Sequence, residues 1–400
     1  MLAPLALSLS ASLLSAAPQD TDWPQWRGPR LDGSTTEKAW VAKGADTNLW
    51  EIDLGLGYSS VSVVDGKLYT MGHDAEGGLD VVWCLDAVTG EEQWTYAFPS
   101  KIWNQFHGGG TNTTPTVDGD VVHVLNREGN YFALDRKTGE VLRERAFAKE
   151  LEVEPPTWGF AGSPLVLDDE LYLNLGKVVR LDKNTGKQTW LSSSSGHAYS
   201  TPAPFRWKDR ELLAVFNGDG LAVLDRANGK DVARYPWETK YDVNAATPIA
   251  IDDALFISSG YNHGGALVAM SEDGLTPVWE TREMKTQMSG AVLLGDHLYG
   301  FDDSVLKCFG LDGEERWEER GLGKGALTGA PGRLIVVSSR GELVIAEASP
   351  EGFRELSRRR VIEDGGEMWT KPVLVNGLIY ARSSKGKLIC SDHRAPSGGE

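Results

Sequence analysis

The 400 residues carry a net charge of −17. This argues against nonspecific nucleic-acid binding, which takes a basic surface to displace counterions, and it disfavours docking on anionic lipid; self-repulsion points instead to a soluble monomer. Hydrophobic residues make up 41%, enough for a stacked core, and 46 glycines without a long amphipathic helical pattern indicate an all-β chain rich in tight turns.

Residues 1–17 read as a signal peptide: an apolar run with no Lys or Arg, closed by the small residues Ser15, Ala16 and Ala17. The run is too short to span a bilayer, and no cysteine follows it to take a lipid anchor. The expected localisation is periplasmic or secreted, with no transmembrane span. Residues 18–47 form an N-terminal arm. Its DWPQWRGPRLDG stretch, 22–33, is sticky but non-helical. That predicts an extended arm packed across one sheet or, through its Trp and Arg anchors, a partner-docking segment.

From there on the chain repeats itself. In Thr113 to Gly139, TTPTVDGDVVHVLNREGNYFALDRKTG, the pair Asp118-Gly119 is a hairpin signal. The run DVVHVLN alternates as a half-buried strand does. NYFALD and EVLRERAF make further strands after turns at Glu128-Gly129 and Thr138-Gly139. Versions of this unit begin near residues 60, 113, 162, 201, 247, 290, 328 and 370. Eight units of four short strands, at a period of roughly 40 to 55 residues, indicate an eight-bladed β-propeller of four-stranded antiparallel blades.

The eighth unit stops after its third strand, near Asp392. Its missing fourth strand is NLWEIDLG, 48–55, in which Trp50 takes the column of Trp94, Trp190 and Trp317. The N-terminal strand therefore completes the last blade, closing the ring without an open sheet edge. The propeller spans 48–394 and a short tail occupies 395–400. The Trp column, to which Trp279 belongs one residue late, opens the fourth strand; an indole there can wedge between adjacent sheets. Cys84, Cys308 and Cys390 share another column and read as buried core thiols, too far apart for disulfides.

Segments joining one blade's fourth strand to the next blade's first emerge on one face, where site residues tend to sit. They supply Trp103, His107 and Asn112; Glu152, Glu154 and Trp158; His197 and Tyr199; Tyr241, Asp242 and Asn244; Arg282, Lys285 and Gln287; and Glu363, Glu367 and Trp369. Of these, Trp103, His107, Asn112, Trp158, His197, Tyr199, Tyr241, Asn244, Gln287, Glu367 and Trp369 are the candidates for a funnel or rim site. HGGG at 107–110 has no G-x-S-x-G partner to make an esterase. The seven histidines show no zinc spacing, and no calcium-loop pattern occurs.

The unit S/T-P-x-V-x-D/N-G-x-V/L-Y, followed by G-x-L-x-A-L-D-x-x-T-G-x-x-x-W, resembles the repeat of pyrroloquinoline-quinone (PQQ) type propellers. It is clearest at 60–94, 113–143 and 162–190. One branch, the quinoprotein dehydrogenases, implies PQQ and Ca²⁺ in the funnel. The other, the BamB-like proteins, implies a scaffold without cofactor that binds its partner through loops on one face. The chain is short, lacks an adjacent Cys-Cys pair and offers no recognisable calcium ligands, and it has no lipobox cysteine. The reading that follows is a non-catalytic exported scaffold, with no catalytic residue, metal or cofactor. It would bind an envelope or extracellular protein through its blade-connecting loops. The alternatives are a short PQQ-dependent oxidoreductase, with Trp158 or Trp369 stacking the quinone and Glu152 or Glu367 near Ca²⁺, and a carbohydrate-binding propeller using the rim aromatics.

Overall fold

A computed structural model describes residues 21–396; residues 1–17, expected to be a signal peptide, lie outside the described residues. Eight four-stranded antiparallel sheets are present, as the repeats predict. Blade 1 runs from Ser62–Val64 on the inside to Glu92–Pro99 on the outside. Blade 8 is built from Val373–Val375, Leu378–Arg382, Lys387–Asp392 and, as its outer strand, Asn48–Asp53. Trp50 pairs with Cys390 there, as Trp94 pairs with Cys84 in blade 1 and Trp317 with Cys308 in blade 6. The three thiols are free and buried.

The core is divided among the seams between blades. Val64, Tyr69 and Cys84 of blade 1 pack on Val117, Val122 and Phe132 of blade 2. Leu68 and Leu85 on the other face of blade 1 pack on Val373, Tyr380 and Cys390 of blade 8, which closes the ring. Each sheet is thus covered on both faces. That is why inner strands such as Glu170–Asn174 are almost continuously buried, while the outer strand Asn48–Asp53 alternates.

The D-x-x-T-G turn and the Trp column act together at these seams. Asp135 accepts the backbone N–H groups of Lys137 and Thr138, each at 2.9 Å, shaping the turn between the third and fourth strands of blade 2. Gly139, at φ +74°, then presents a bare backbone to Trp94 of blade 1: a Cβ there would lie 2.6 Å from the indole. The indole N–H donates to Arg136 O at 2.9 Å. Trp190 repeats the arrangement on Gly229 and Arg226 O, Trp279 on Gly313 and Leu311 O, and Trp50 on Gly90 and Ala87 O. Trp317 donates to Ser349 O and packs on Phe353 instead of a glycine.

The arm corrects the expectation drawn from its sequence. It does not lie across one sheet but threads the centre of the ring, pairing with the free edges of inner strands. Trp23 exchanges two 2.8 Å backbone hydrogen bonds with Val63 of blade 1, and Pro24 O accepts Val117 N–H of blade 2. The Gln25 side chain accepts Val166 N–H of blade 3, Gly33 and Thr35 bond Gly329 of blade 7, and the Glu37 carboxylate accepts the N–H groups of Asn376 and Gly377 in blade 8. The physical reason is that eight inner strands leave eight unpaired edges facing one axis, and an extended segment satisfies several of them at once.

Two outcomes follow. Trp94→Ala should destabilise the ring by about 3–5 kcal/mol. In urea denaturation Gly139→Ala should be clearly more harmful in the wild-type background than beside Trp94→Ala, because the clash it creates is with that indole. His123, 1% exposed with Nδ1 2.8 Å from the Tyr131 hydroxyl, has its pKa pushed down to about 3 by burial and then by Arg143 and Lys183. The unfolded chain binds a proton below about pH 6.5 that the native state refuses, so this contribution is present above pH 6.5 and is lost as pH falls toward 3. Denaturation at stepped pH should show the loss, at up to about 1.4 kcal/mol per pH unit, and His123→Gln should flatten it.

Candidate functional site

An antiparallel four-stranded blade begins its inner strand and ends its outer strand on the same face, so every crossover to the next blade lies there, with the turns between second and third strands. On this face the loops surround a cavity of about 260 Å³. The arm supplies its floor. Trp26 lines it, with its indole N–H held by Thr247 Oγ1 at 3.0 Å, and Ser163 and Thr201 stand beside it. Arg27, 1% exposed, locks the arm beneath: its guanidinium donates to Leu31 O, Asp32 O and, across the channel, Ala291 O. Burial lowers its pKa to about 10, with Asp32 opposing.

The walls are aromatic. Tyr58 and Trp369 stack with centroids 5.4 Å apart and planes at 15°. His107 stands edge-on to both and 6.5 Å from Trp158. Gly109 N–H donates to His107 Nδ1 at 3.1 Å, which leaves the ring hydrogen on Nε2; burial lowers the pKa, so the imidazole is neutral near pH 7. Asn112 Nδ2 donates to Trp158 O at 2.7 Å and Trp158 Nε1 to Gln105 O at 3.0 Å, which ties the 103–112 and 152–160 loops together.

Of the sequence candidates, His107, Asn112, Trp158, Tyr199, Gln287 and Trp369 line the cavity. The other five do not. Tyr241, 49% exposed, stands edge-on to Tyr261, and His197 faces Asp242 at 3.8 Å, both outside the lining. Trp103 braces the base of its loop, its carbonyl against Gly109. Asn244 is fully buried, donating to Asn217 O and Trp237 O, and so is spent within the scaffold. Glu367 turns to the Ser384 hydroxyl behind Tyr58, where with burial it raises the pKa of the phenol.

Sequence reasoning missed Tyr58, Phe106, Tyr261, Met288 and Trp26. Tyr58 was findable: if 48–55 completes blade 8, the residues after it are the eighth crossover. Tyr261 lies in a turn between second and third strands, which shares the face. Phe106, Tyr261 and Gln287 hold φ of +69°, +56° and +46°. For bulky side chains that costs about 1–2 kcal/mol each, and such strain clusters where ligands are held.

The family described as outer membrane protein assembly factor BamB matches residues 37–142 and 99–307. The chain belongs to this PQQ-like propeller family. BamB of Shewanella oneidensis is 24% identical over 144 residues, 36% of this chain and 33% of that protein. The matched stretches amount to 24% and 33% of the curated relatives' own lengths, well under two thirds. The crystal structure of BamB from Moraxella catarrhalis superposes with a TM-score of 0.61 at 18% identity, covering 88% of this chain and 99% of that one. A quinohemoprotein alcohol dehydrogenase, ADHIIG from Pseudomonas putida HK5, gives 0.68 at 13% identity, covering 96% and 81%. Identities this low establish the shared fold alone.

The dehydrogenase branch implies PQQ with Ca²⁺, and the lining can be tested against it. Aromatic faces are available, but calcium takes six to eight oxygen ligands with carboxylates among them, and PQQ itself carries carboxylates. No Asp, Glu, Lys or Arg lines the cavity. Glu152 is exposed outside it, and no His/Cys/Asp/Glu group suited to a metal occurs among the described residues. The residues present do not fit calcium-bound PQQ.

Arg27→Ala should strand three carbonyls and release the arm, at about 3 kcal/mol or more. Limited proteolysis should then cut between residues 22 and 37 while fragments of the ring persist.

Proposed function

We propose that the protein is an exported, non-catalytic, monomeric scaffold that holds an envelope or extracellular protein on the crossover face. Phe106 carries this reading. Its side chain is 89% exposed although its backbone is held at φ +69°. Strain and exposure of a large apolar ring both cost stability, and inside the monomer the ring meets the Trp158 ring at 6.2 Å; burial under a partner would offset the rest. Tyr241, also exposed, extends the apolar rim. The family's description, outer membrane protein assembly factor, supports a partner among envelope proteins. The reading of export rests on residues 1–17, and no described helix is long and apolar enough to cross a membrane.

The chemistry of the chain favours a binder over a catalyst. Burial pushes the thiols of Cys84 and Cys308 up to about 11 and that of Cys390 to about 12, too high to form a nucleophilic thiolate. The neutral lining gives neither PQQ nor Ca²⁺ a countercharge, so titration with PQQ and Ca²⁺ should give no heat.

A photoreactive residue placed at 106 should form one discrete adduct in the native envelope, while the same residue at Leu142, exposed on an outer strand, should not. Phe106→Ala should weaken capture of that partner at least about tenfold, the size of an interface hot spot, with an unchanged urea midpoint. Equal adducts at both positions would overturn the proposal.

A further inference from the structure

The interior of the cavity differs in chemistry from its rim. The chain contains 57 acidic and 40 basic residues, yet none of the sixteen that line the cavity is Asp, Glu, Lys or Arg. Seven of those sixteen are aromatic, against 9% of the whole chain. The nearest ions stand behind the lining and are engaged with it: Lys324 lies over the Trp369 ring and bonds the Gln287 side-chain oxygen, and Glu367 accepts the Ser384 hydroxyl beside Tyr58. The lining is therefore without formal charge but not apolar.

Neutral hydrogen-bonding groups stand between the rings. Ser163 Oγ accepts Thr114 N–H and Thr201 Oγ1 accepts Ser163 N–H, each at 2.9 Å, which leaves both floor hydroxyls their own hydrogens to donate. Asn112 uses one amide hydrogen on Trp158 O and keeps its oxygen as an acceptor. His107 is neutral with its hydrogen on Nε2. Tyr261 and Gln287 hold left-handed backbone, and the Gln287 side-chain oxygen accepts Lys324.

A charged ligand would lose its hydration here and gain no countercharge from the lining, while Lys324 and Glu367 behind it are already engaged with lining and neighbouring groups. A pure hydrocarbon would leave the hydroxyls and the amide oxygen unpaired, at about 1–3 kcal/mol each. A molecule with a flat apolar face and an uncharged edge of hydroxyls satisfies both kinds of group, its face on an indole and its edge on the neutral donors and acceptors. We propose that the cavity is a binding site for a neutral pyranose, presented as a glycan chain end or side branch. This goes beyond the scaffold reading: the rim at Phe106 holds protein, the interior holds a sugar ring.

The test is titration of the mature protein with neutral gluco-, manno-, galacto- and N-acetylglucosamine oligosaccharides, read by tryptophan fluorescence and by saturation-transfer NMR. Expected is saturable binding by at least one neutral series, unchanged between about 50 and 500 mM NaCl because salt screens only charge–charge interactions and the ligand is uncharged. Trp369→Ala should lose more than about tenfold in affinity, the scale of a buried aromatic contact. Trp158→Phe, which keeps a ring in place, serves if the first variant is unstable, and should weaken binding by a smaller factor. No saturable binding by any neutral series, salt-sensitive binding, or binding unaffected by both substitutions would overturn the site. The photoreactive adduct at 106 is independent of these outcomes, so loss of the sugar site would leave the protein-docking reading standing.

Discussion

A four-stranded sheet with apolar residues on both faces cannot be stable alone, and the seam between neighbouring blades is the interaction that resolves this. At the outer end of a seam one pattern recurs: an Asp shapes a turn, a glycine leaves room, and an indole from the preceding blade fills it and bonds the turn carbonyl. Trp50 repeats this on Gly90 although its strand comes from the opposite end of the chain. That contact closes the ring, so the last blade is held by the same physics as the others. Arg382 reinforces the closure, donating from blade 8 to the carbonyls of Ser59 and Gly55.

Closure creates a second problem, a central channel walled by unpaired strand edges. The arm solves it from within the chain. By pairing with inner strands of several blades it converts a through-channel into a blind cavity, and its Trp26 becomes the floor. Stability and site formation are therefore coupled: the segment that satisfies the inner edges also sets the depth and chemistry of the cavity. The rigid ring can then hold strained residues without yielding: the segments flanking Phe106 are anchored on two neighbouring blades, and Tyr261 sits in a turn between two paired strands of one blade.

Much of this was legible in the residues. The strands, their turns, the blade count and the split last blade follow from alternation, from Asp-Gly and Thr-Gly turns and from the Trp column, all of them local. Six of the eleven site candidates line the cavity, since the rule that crossovers share a face is topological. The failures have distinct causes. Asn244 sits in a crossover but is consumed by bonds to Asn217 and Trp237, and burial within a loop has no sequence signature. Tyr58 is harder to read because its crossover follows the clasp strand at the start of the chain, far in sequence from the rest of blade 8. Phe106 escaped because neither its exposure nor its left-handed backbone is written in its residue type.

By itself, then, the sequence determined an eight-bladed ring closed by its N-terminal strand, because strand period, turn chemistry and wedge residues act over a few positions and repeat. Only the tertiary structure decided which crossover side chains converge, and that the arm runs through the channel. Those outcomes depend on contacts such as Trp26 with Thr247, 221 residues apart, and on the unpaired inner edges that exist only once the ring has closed.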